Sequence, residues 1–280
     1  MPVRRQSGNV TPADPLLRPK DGREVLFAAK VGSYNYNLQV EGSDEDFYVF
    51  TMPRYTDLYD GNLYTKQTIT DDLDYTSFDL RRLPDLLWKS NPHTVELLFT
   101  KDLRVNTRME YVEGAETFKL LDLPIFIQDK NESIARMNLP YLWDSTMGCV
   151  RSEMKRLKGN EEQELTKLHG YNTKAAMHAV RLLDLLDRYA DSGFEDFESA
   201  LVYNGQRRTD ILDIRKGKYT YIEMQDVLNT RIPLIEEKWK DAYKSAKPKE
   251  TTYARLKKAV YEVARIYTLY ELERDMIWKA

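Results

Sequence analysis

The stretch V-G-S-Y-N-Y-N-L-Q-V-E-G-S-D-E-D-F-Y-V-F, residues 31–50, decides how this chain is read. Residues 24–31 before it are mostly apolar and end at Gly32. Residues 46–52 are aromatic and β-branched and stop at Pro53. Both patterns predict strands. Gly32-Ser33 therefore follows a strand and opens a polar turn. Glycine at such a point lets a phosphate come close to the backbone, and the Ser33 hydroxyl and nearby N–H groups can donate to it. Asp44 and Asp46 stand at the expected start of the second strand, where a period of two places both carboxylates on one face. Neighbouring carboxylates repel one another unless a cation lies between them. An all-oxygen ligand set beside phosphates suits Mg²⁺.

Working outward, residues 72–78 (D-L-D-Y-T-S-F) alternate as a third strand and carry Asp74. Should that strand pair beside the second, a third carboxylate faces the same point. Three carboxylates on two strands can hold two Mg²⁺ ions about 3.5–4 Å apart, the arrangement used for in-line displacement at phosphorus. One ion would activate an attacking hydroxyl, whose proton Asp74 could accept. The other would hold a triphosphate and the leaving pyrophosphate. Taken singly, Gly-Ser is most often a plain turn and D-x-D a solvated strand end; the conjunction carries the reading. Asp79 competes as a third carboxylate but sits where a helix N-cap is expected, and Asp71 and Asp72 read as solvent-facing. Helix is expected from Asp79 onward, with Pro84 kinking or delaying it. Asn91-Pro92 opens a second short helix.

From about Gly114 the pattern is helical, most clearly near 145–168, 173–190, 221–245 and 251–278. Lys174, His178 and Arg181 fall within about 60° of one another on the second of these helices, most of whose other positions are apolar. Buried cations need anionic partners. Lys174 and Arg181 therefore read as phosphate ligands, with ion pairs to neighbouring helices as the alternative, and His178 reads as a polar core residue. Arg215, Lys216 and Lys218 read as a solvated basic turn, with contact to a nucleic-acid backbone as the second reading. Arg54 is a weak candidate to face a nucleotide, Glu96 reads as a structural partner, and Cys149 as a small packed residue.

The chain has 280 residues, 42% hydrophobic and 31% charged, with a formal net charge of -3. That supports a real core and argues against a dedicated nucleic-acid coat or a polybasic membrane binder. One cysteine excludes a disulfide framework and a thiolate zinc site, and the three histidines lack metal-ligand spacing. No apolar run reaches the ~18 residues of a membrane span, and no signal segment is visible, so the expectation is a soluble, cytoplasmic protein. Residues 1–22, rich in proline, read as a tail. Residues 23–110 read as a small mixed-sheet domain and 111–280 as a helical domain closing its cleft. The expected class is α+β.

The ordered series G-S-Y-N-Y-N-L, S-D-E-D, D-Y-T-S-F-D-L-R-R, N-P-H-T-V-E-L-L and G-Y-N-T-K-A-A-M-H-A-V-R-L-L resembles the DNA polymerase β-like nucleotidyltransferase superfamily. Within it, the series is most similar to a bacterial and phage group of predicted nucleotidyltransferases associated with RNA repair. The resemblance covers roughly residues 24–245. It implies that Asp44, Asp46 and Asp74 bind metal and act in catalysis. It also implies that Gly32 and Ser33 hold nucleotide phosphates, and it matches Lys174 and Arg181 to the group's lysine and arginine. Asn37 stands where the group usually has glycine, which puts close backbone approach there in question; asparagine tolerates positive φ. The implied reaction is Mg²⁺-dependent transfer of NMP from an NTP, ATP by default, to an acceptor hydroxyl, with Mn²⁺ as a substitute ion. RNA is the first choice of acceptor, and a protein or small molecule is chemically compatible. The competing readings are an antitoxin-like binding module on the same fold and phosphodiester hydrolysis by the same metal pair.

Overall fold

The computed structural model describes residues 14–69, 74–107, 118–160 and 164–277. Its sheet has strands β1 (Val25–Val31), β2 (Asp46–Thr51), β3 (Thr65–Ile69), β4 (Asp74–Asp79) and β5 (Leu103–Val105), in the order β3-β4-β2-β1-β5. β1 runs antiparallel to β2 and β5, and β3 antiparallel to β4, while β2 and β4 are parallel. That parallel pair sets Asp46 directly opposite Asp74. The crossover it requires is made by the short helix α1 (Tyr55–Tyr59) and the edge strand β3.

Alternation along β2 sends Phe47 and Val49 to one face of the sheet and Tyr48 and Phe50 to the other. On the first face, Leu16 closes over Val25, Ala28, Phe47 and Val49. Leu16 belongs to a 3₁₀ turn (Pro15–Leu17) capped by Asp14, whose side chain accepts the Leu16 N–H. The part of the expected tail from Asp14 onward thus covers the back of the sheet; residues 1–13, and also Asp71 and Asp72, lie outside the described residues.

The other face packs against helices. They are α2 (Leu83–Trp88), α3 (Pro92–Val95), α4 (Phe118–Asp129), α5 (Asn131–Ala135), α6 (Leu139–Arg156), α7 (Glu164–His169), α8 (Thr173–Asp191), α9 (Phe197–Leu201), α10 (Gly205–Arg215), α11 (Tyr221–Ser245) and α12 (Glu250–Ile277). The architecture is α+β, a five-stranded mixed sheet followed by a mostly helical region. One apolar core runs from Phe27 and Phe50 on the sheet through Trp143 and Leu182 to Val260. α8 lies at its centre, against α6, α9, α10 and α11. Asn172 starts α8 by accepting the Ala175 N–H at 3.0 Å, which fixes the phase of the helix and so the direction of Lys174 and Arg181.

Several expectations are corrected. The polar stretch before Asp74 contains β3, an edge strand exposed at most positions and without apolar alternation, and β5 is only three residues long, too short for the alternation of Leu103, Arg104 and Val105 to mark a strand. The helix expected over 145–168 is divided, α6 ending at Arg156 and α7 starting at Glu164, with Gly159 between them at φ +73°. The chain after Asp79 makes a 3₁₀ turn (Leu80–Arg82) before α2, with Pro84 at the second position of that helix, so the proline delays it rather than bending it. Asp79 is the expected cap: it accepts the Arg81 N–H at 2.9 Å and pairs with the Arg81 guanidinium at 2.6 Å. Among the described residues, no helix is long and apolar enough to cross a membrane.

Candidate active site

The chain leaves β1 through a 3₁₀ turn (Gly32–Tyr34) that places Gly32 at φ +84°. A Cβ on Gly32 would stand 3.0 Å from Asp46 Oδ2, so this position requires glycine both for its backbone angle and for the approach of that carboxylate. The turn is held from below. Gly32 donates its N–H to Glu96 Oε1 at 3.2 Å, and Leu38 donates its N–H to the Ser33 carbonyl at 2.9 Å. Glu96 is 1% exposed, and burial pushes its pKa up to about 8 against the opposing influence of Arg181, Tyr36 and the Gly32 N–H. Its expected role as a structural partner is what the geometry shows, and the group it supports is the Gly-Ser turn.

Asn37 takes φ +58°, so the bend survives without glycine. Its side-chain amide also donates to the Tyr203 carbonyl at 2.9 Å and to Asn204 Oδ1 at 3.0 Å, contacts that glycine could not make.

Asp46 begins β2 and Asp74 begins β4. Asp44 lies in the loop before β2 rather than on the strand, so its position owes nothing to strand alternation. Burial, followed by the charges of Asp44 and Asp74, raises the Asp46 pKa, and Lys174 opposes the shift. Asp44 and Asp74 thus both act electrostatically on Asp46. Among the described residues, no three Asp, Glu, His or Cys side chains are gathered tightly enough to form a metal-binding group.

Two cavities meet at Gly32, Asp46 and His93. The first, of about 290 Å³, is lined by Ser33, Asp44 and the loop before β2 on one side and by Lys174, Met177, His178, Arg181 and Arg215 on the other. Arg181 is 2% exposed, its guanidinium lies 3.7 Å from the centre of the Tyr36 ring, and its Nε has no hydrogen-bond partner. Among the described residues, Lys174, Arg181 and Arg215 form no ion pair within 4.0 Å. Neither Lys174 nor Arg181 is thus closed into an ion pair with a neighbouring helix among the described residues, although the buried Glu96 feels the charge of Arg181. His178 and His93 also face this cavity; burial and the nearby cations pull them down to about 2 and about 4, so both are neutral at pH 7. His178 is accordingly a lining residue, not simply a core one.

The second cavity, of about 180 Å³, lies over the ends of β2, β3 and β4. Asp46, Tyr48, Gln67, Asp74, Thr76 and Glu96 line it, and among the described residues no lysine or arginine does. Its polar row follows from register: Asp46 stands opposite Asp74, and Thr76 stands opposite both Tyr48 and Gln67.

Residues 15–126 match the RNA repair pathway DNA polymerase beta family, RlaP. The matched segment contains all five strands, the Gly32-Ser33 turn, Glu96 and the three carboxylates. It ends before Lys174, Arg181 and Arg215, so the cationic wall comes from outside the RlaP match. No curated protein matches the chain. The match supports a role of the nucleotidyltransferase type.

Sequence reasoning passed over Tyr36, His93 and the cavity-facing position of Arg215. Tyr36 and His93 carry no periodic signal. Arg215 had one, since it lies seven residues after Arg208 on one helix and therefore on nearly the same face. Arg54 faces neither cavity; it precedes α1 and gives its backbone N–H to Asp57 at 2.9 Å. Lys218 pairs with Asp213 at 2.7 Å, in keeping with a solvated turn.

Proposed function

We propose that this protein is a Mg²⁺-dependent nucleotidyltransferase that moves NMP from an NTP to an acceptor hydroxyl, with RNA as the favoured acceptor. The observation that carries this reading is the meeting, at Asp46, of a cavity with one cationic wall (Lys174, Arg181, Arg215) and a second cavity lined by acidic and uncharged polar groups. A triphosphate suits the first, beside Ser33, Lys174 and Arg181. A hydroxyl-bearing end suits the second, because among the described residues no lysine or arginine there competes for a phosphate and His93 is held neutral. Asp74 lines only the second cavity and so stands on the acceptor side, placed to take the proton of the attacking hydroxyl. The hydroxyl oxygen forms a bond to the α-phosphorus, and the bond to the bridging oxygen of pyrophosphate breaks.

The carboxylates suit divalent ions through their oxygen-only donor set, and the charges of Asp44 and Asp74 add to the burial that raises Asp46, although the three are not gathered into a tight metal-binding group. Asp44, Asp46 and Asp74 would hold two Mg²⁺, or Mn²⁺ in their place. Such ions supply charge neutralisation at the attacking and leaving oxygens.

The test is label transfer. Purified protein is incubated with each α-labelled NTP, Mg²⁺ and a cell extract separated into RNA, protein and small-molecule fractions. Label should enter the RNA fraction with release of pyrophosphate. In the Asp44→Ala/Asp46→Ala variant, with its fold verified by circular dichroism, transfer should fall at least about 10³-fold, roughly 4 kcal/mol of transition-state stabilisation. Full activity in that variant would sink the proposal. Label in no fraction would favour the binding-module reading, and release of NMP without transfer would favour hydrolysis.

A further inference from the structure

Two of the three arginines of α10, Arg208 and Arg215, stand seven residues apart on nearly the same face. Arg208 reaches back to the loop after the Gly32 turn, donating from Nε to the Asn37 carbonyl at 2.6 Å and from Nη2 to the Gln39 carbonyl at 3.2 Å. Tyr203, just before the helix, donates its N–H to the Tyr36 carbonyl at 2.9 Å. α10 is thus fastened across the site, and its last residue, Arg215, is delivered to a fixed place in the wall of the larger cavity.

Arg215 is half-buried there, and burial lowers its pKa, opposed by the charge of Asp44. Its Nη1 is shut off from solvent without a hydrogen-bond partner. The carbonyl end of α10 favours a cation, but that would be equally served by a side chain in water, as Lys216 is. A guanidinium partly taken out of water without an ion-pair partner costs stability. The protein keeps it beside Lys174 and Arg181, two other cations that also lack ion pairs among the described residues.

We propose that Arg215 binds the polyphosphate of the nucleotide, as the third cation of the larger cavity. The inference rests on the nucleotide-binding reading above and adds a ligand residue from a helix outside the matched family segment. Guanidinium groups suit the task because their paired N–H donors match two phosphate oxygens at once.

The experiment is calorimetric titration of the intact protein, with Mg²⁺, by α,β-methylene-ATP and by adenosine, for the wild type, Arg215→Ala and Arg215→Lys. Thermal unfolding of each ligand-free protein is measured alongside. Arg215→Ala should weaken the triphosphate analogue at least tenfold and leave adenosine unchanged, with Arg215→Lys recovering part of the loss. The ligand-free unfolding midpoint of Arg215→Ala should stay level or rise, since the substitution removes a half-buried guanidinium that has no ion pair among the described residues. Undiminished binding by Arg215→Ala would overturn this inference and leave the nucleotidyltransferase reading standing. Weakened binding together with a lowered ligand-free midpoint would also overturn it, by showing that Arg215 serves the fold. A wild type that binds no analogue would instead bring down the nucleotide reading itself.

Discussion

His178 is held neutral among cations, and that has a measurable cost in acid. In the unfolded chain it takes up a proton near its ordinary value of 6.5, whereas in the folded protein it does so only near 2. Below pH 6.5 the unfolded state binds the extra proton, so stability falls with falling pH by about 1.4 kcal/mol per unit from this residue. Glu96 works in the opposite sense. Its folded value of about 8 lies above its ordinary 4.5, so its contribution is present below pH 4.5 and is lost as pH rises toward 8. The two partly cancel in the wild type. His178→Gln should therefore resist acid better, gaining roughly 2 kcal/mol relative to the wild type between pH 6 and 4.5. Urea denaturation at a series of pH values reads this directly, and parallel pH profiles for the two proteins would show that His178 is not held neutral.

At the scale of elements, the informative contact is the one between the loop after Gly32 and α10. Asn37→Gly keeps the left-handed backbone but removes two side-chain hydrogen bonds, and should cost about 1 kcal/mol. Asn37→Ala loses the same bonds and adds the strain of a side chain at positive φ, for a total of about 2–3 kcal/mol. Equal stability of wild type and Asn37→Gly in urea would mean that the tether contributes nothing. The elements bearing the three carboxylates were legible in the sequence for physical reasons. β1 and β2 are apolar because they are buried, and β4 keeps its alternation beside them. β3 was not legible because an exposed edge strand needs no apolar residues, and the break between α6 and α7 was hidden by helix-forming residues on both sides of Gly159. For the site, local spacing brought out Gly32, Ser33, Asp44, Asp46, Asp74, Lys174 and Arg181. It did not bring out His93, which the packing of α3 places in the cavity, and the spacing of Arg215 from Arg208 tells which helix face the two share but not what that face packs against.

At the scale of the whole molecule, the sheet and the helices share one apolar core, reaching from Phe27 to Val260. Trp143 and Tyr243 lie 5.3 Å apart within the helical region, and Phe99, just before β5, stacks on Phe197 of α9 at 5.1 Å. Such continuity predicts one cooperative unfolding transition, with near-ultraviolet and far-ultraviolet circular dichroism falling together in urea. Two separated transitions would show that residues 23–110 and 111–280 are independent folding units. The hydrogen bonds from Asn37 to Tyr203 and from Arg208 to Asn37 span 166 and 171 positions of the chain. They give the site an order of appearance during synthesis. The ribosome makes the acidic half first and the basic half only after α8 and α10 have left the exit tunnel. Until then the nascent chain presents the carboxylates without the cations that face them across the larger cavity, so the cavity itself exists only once the later helices have packed.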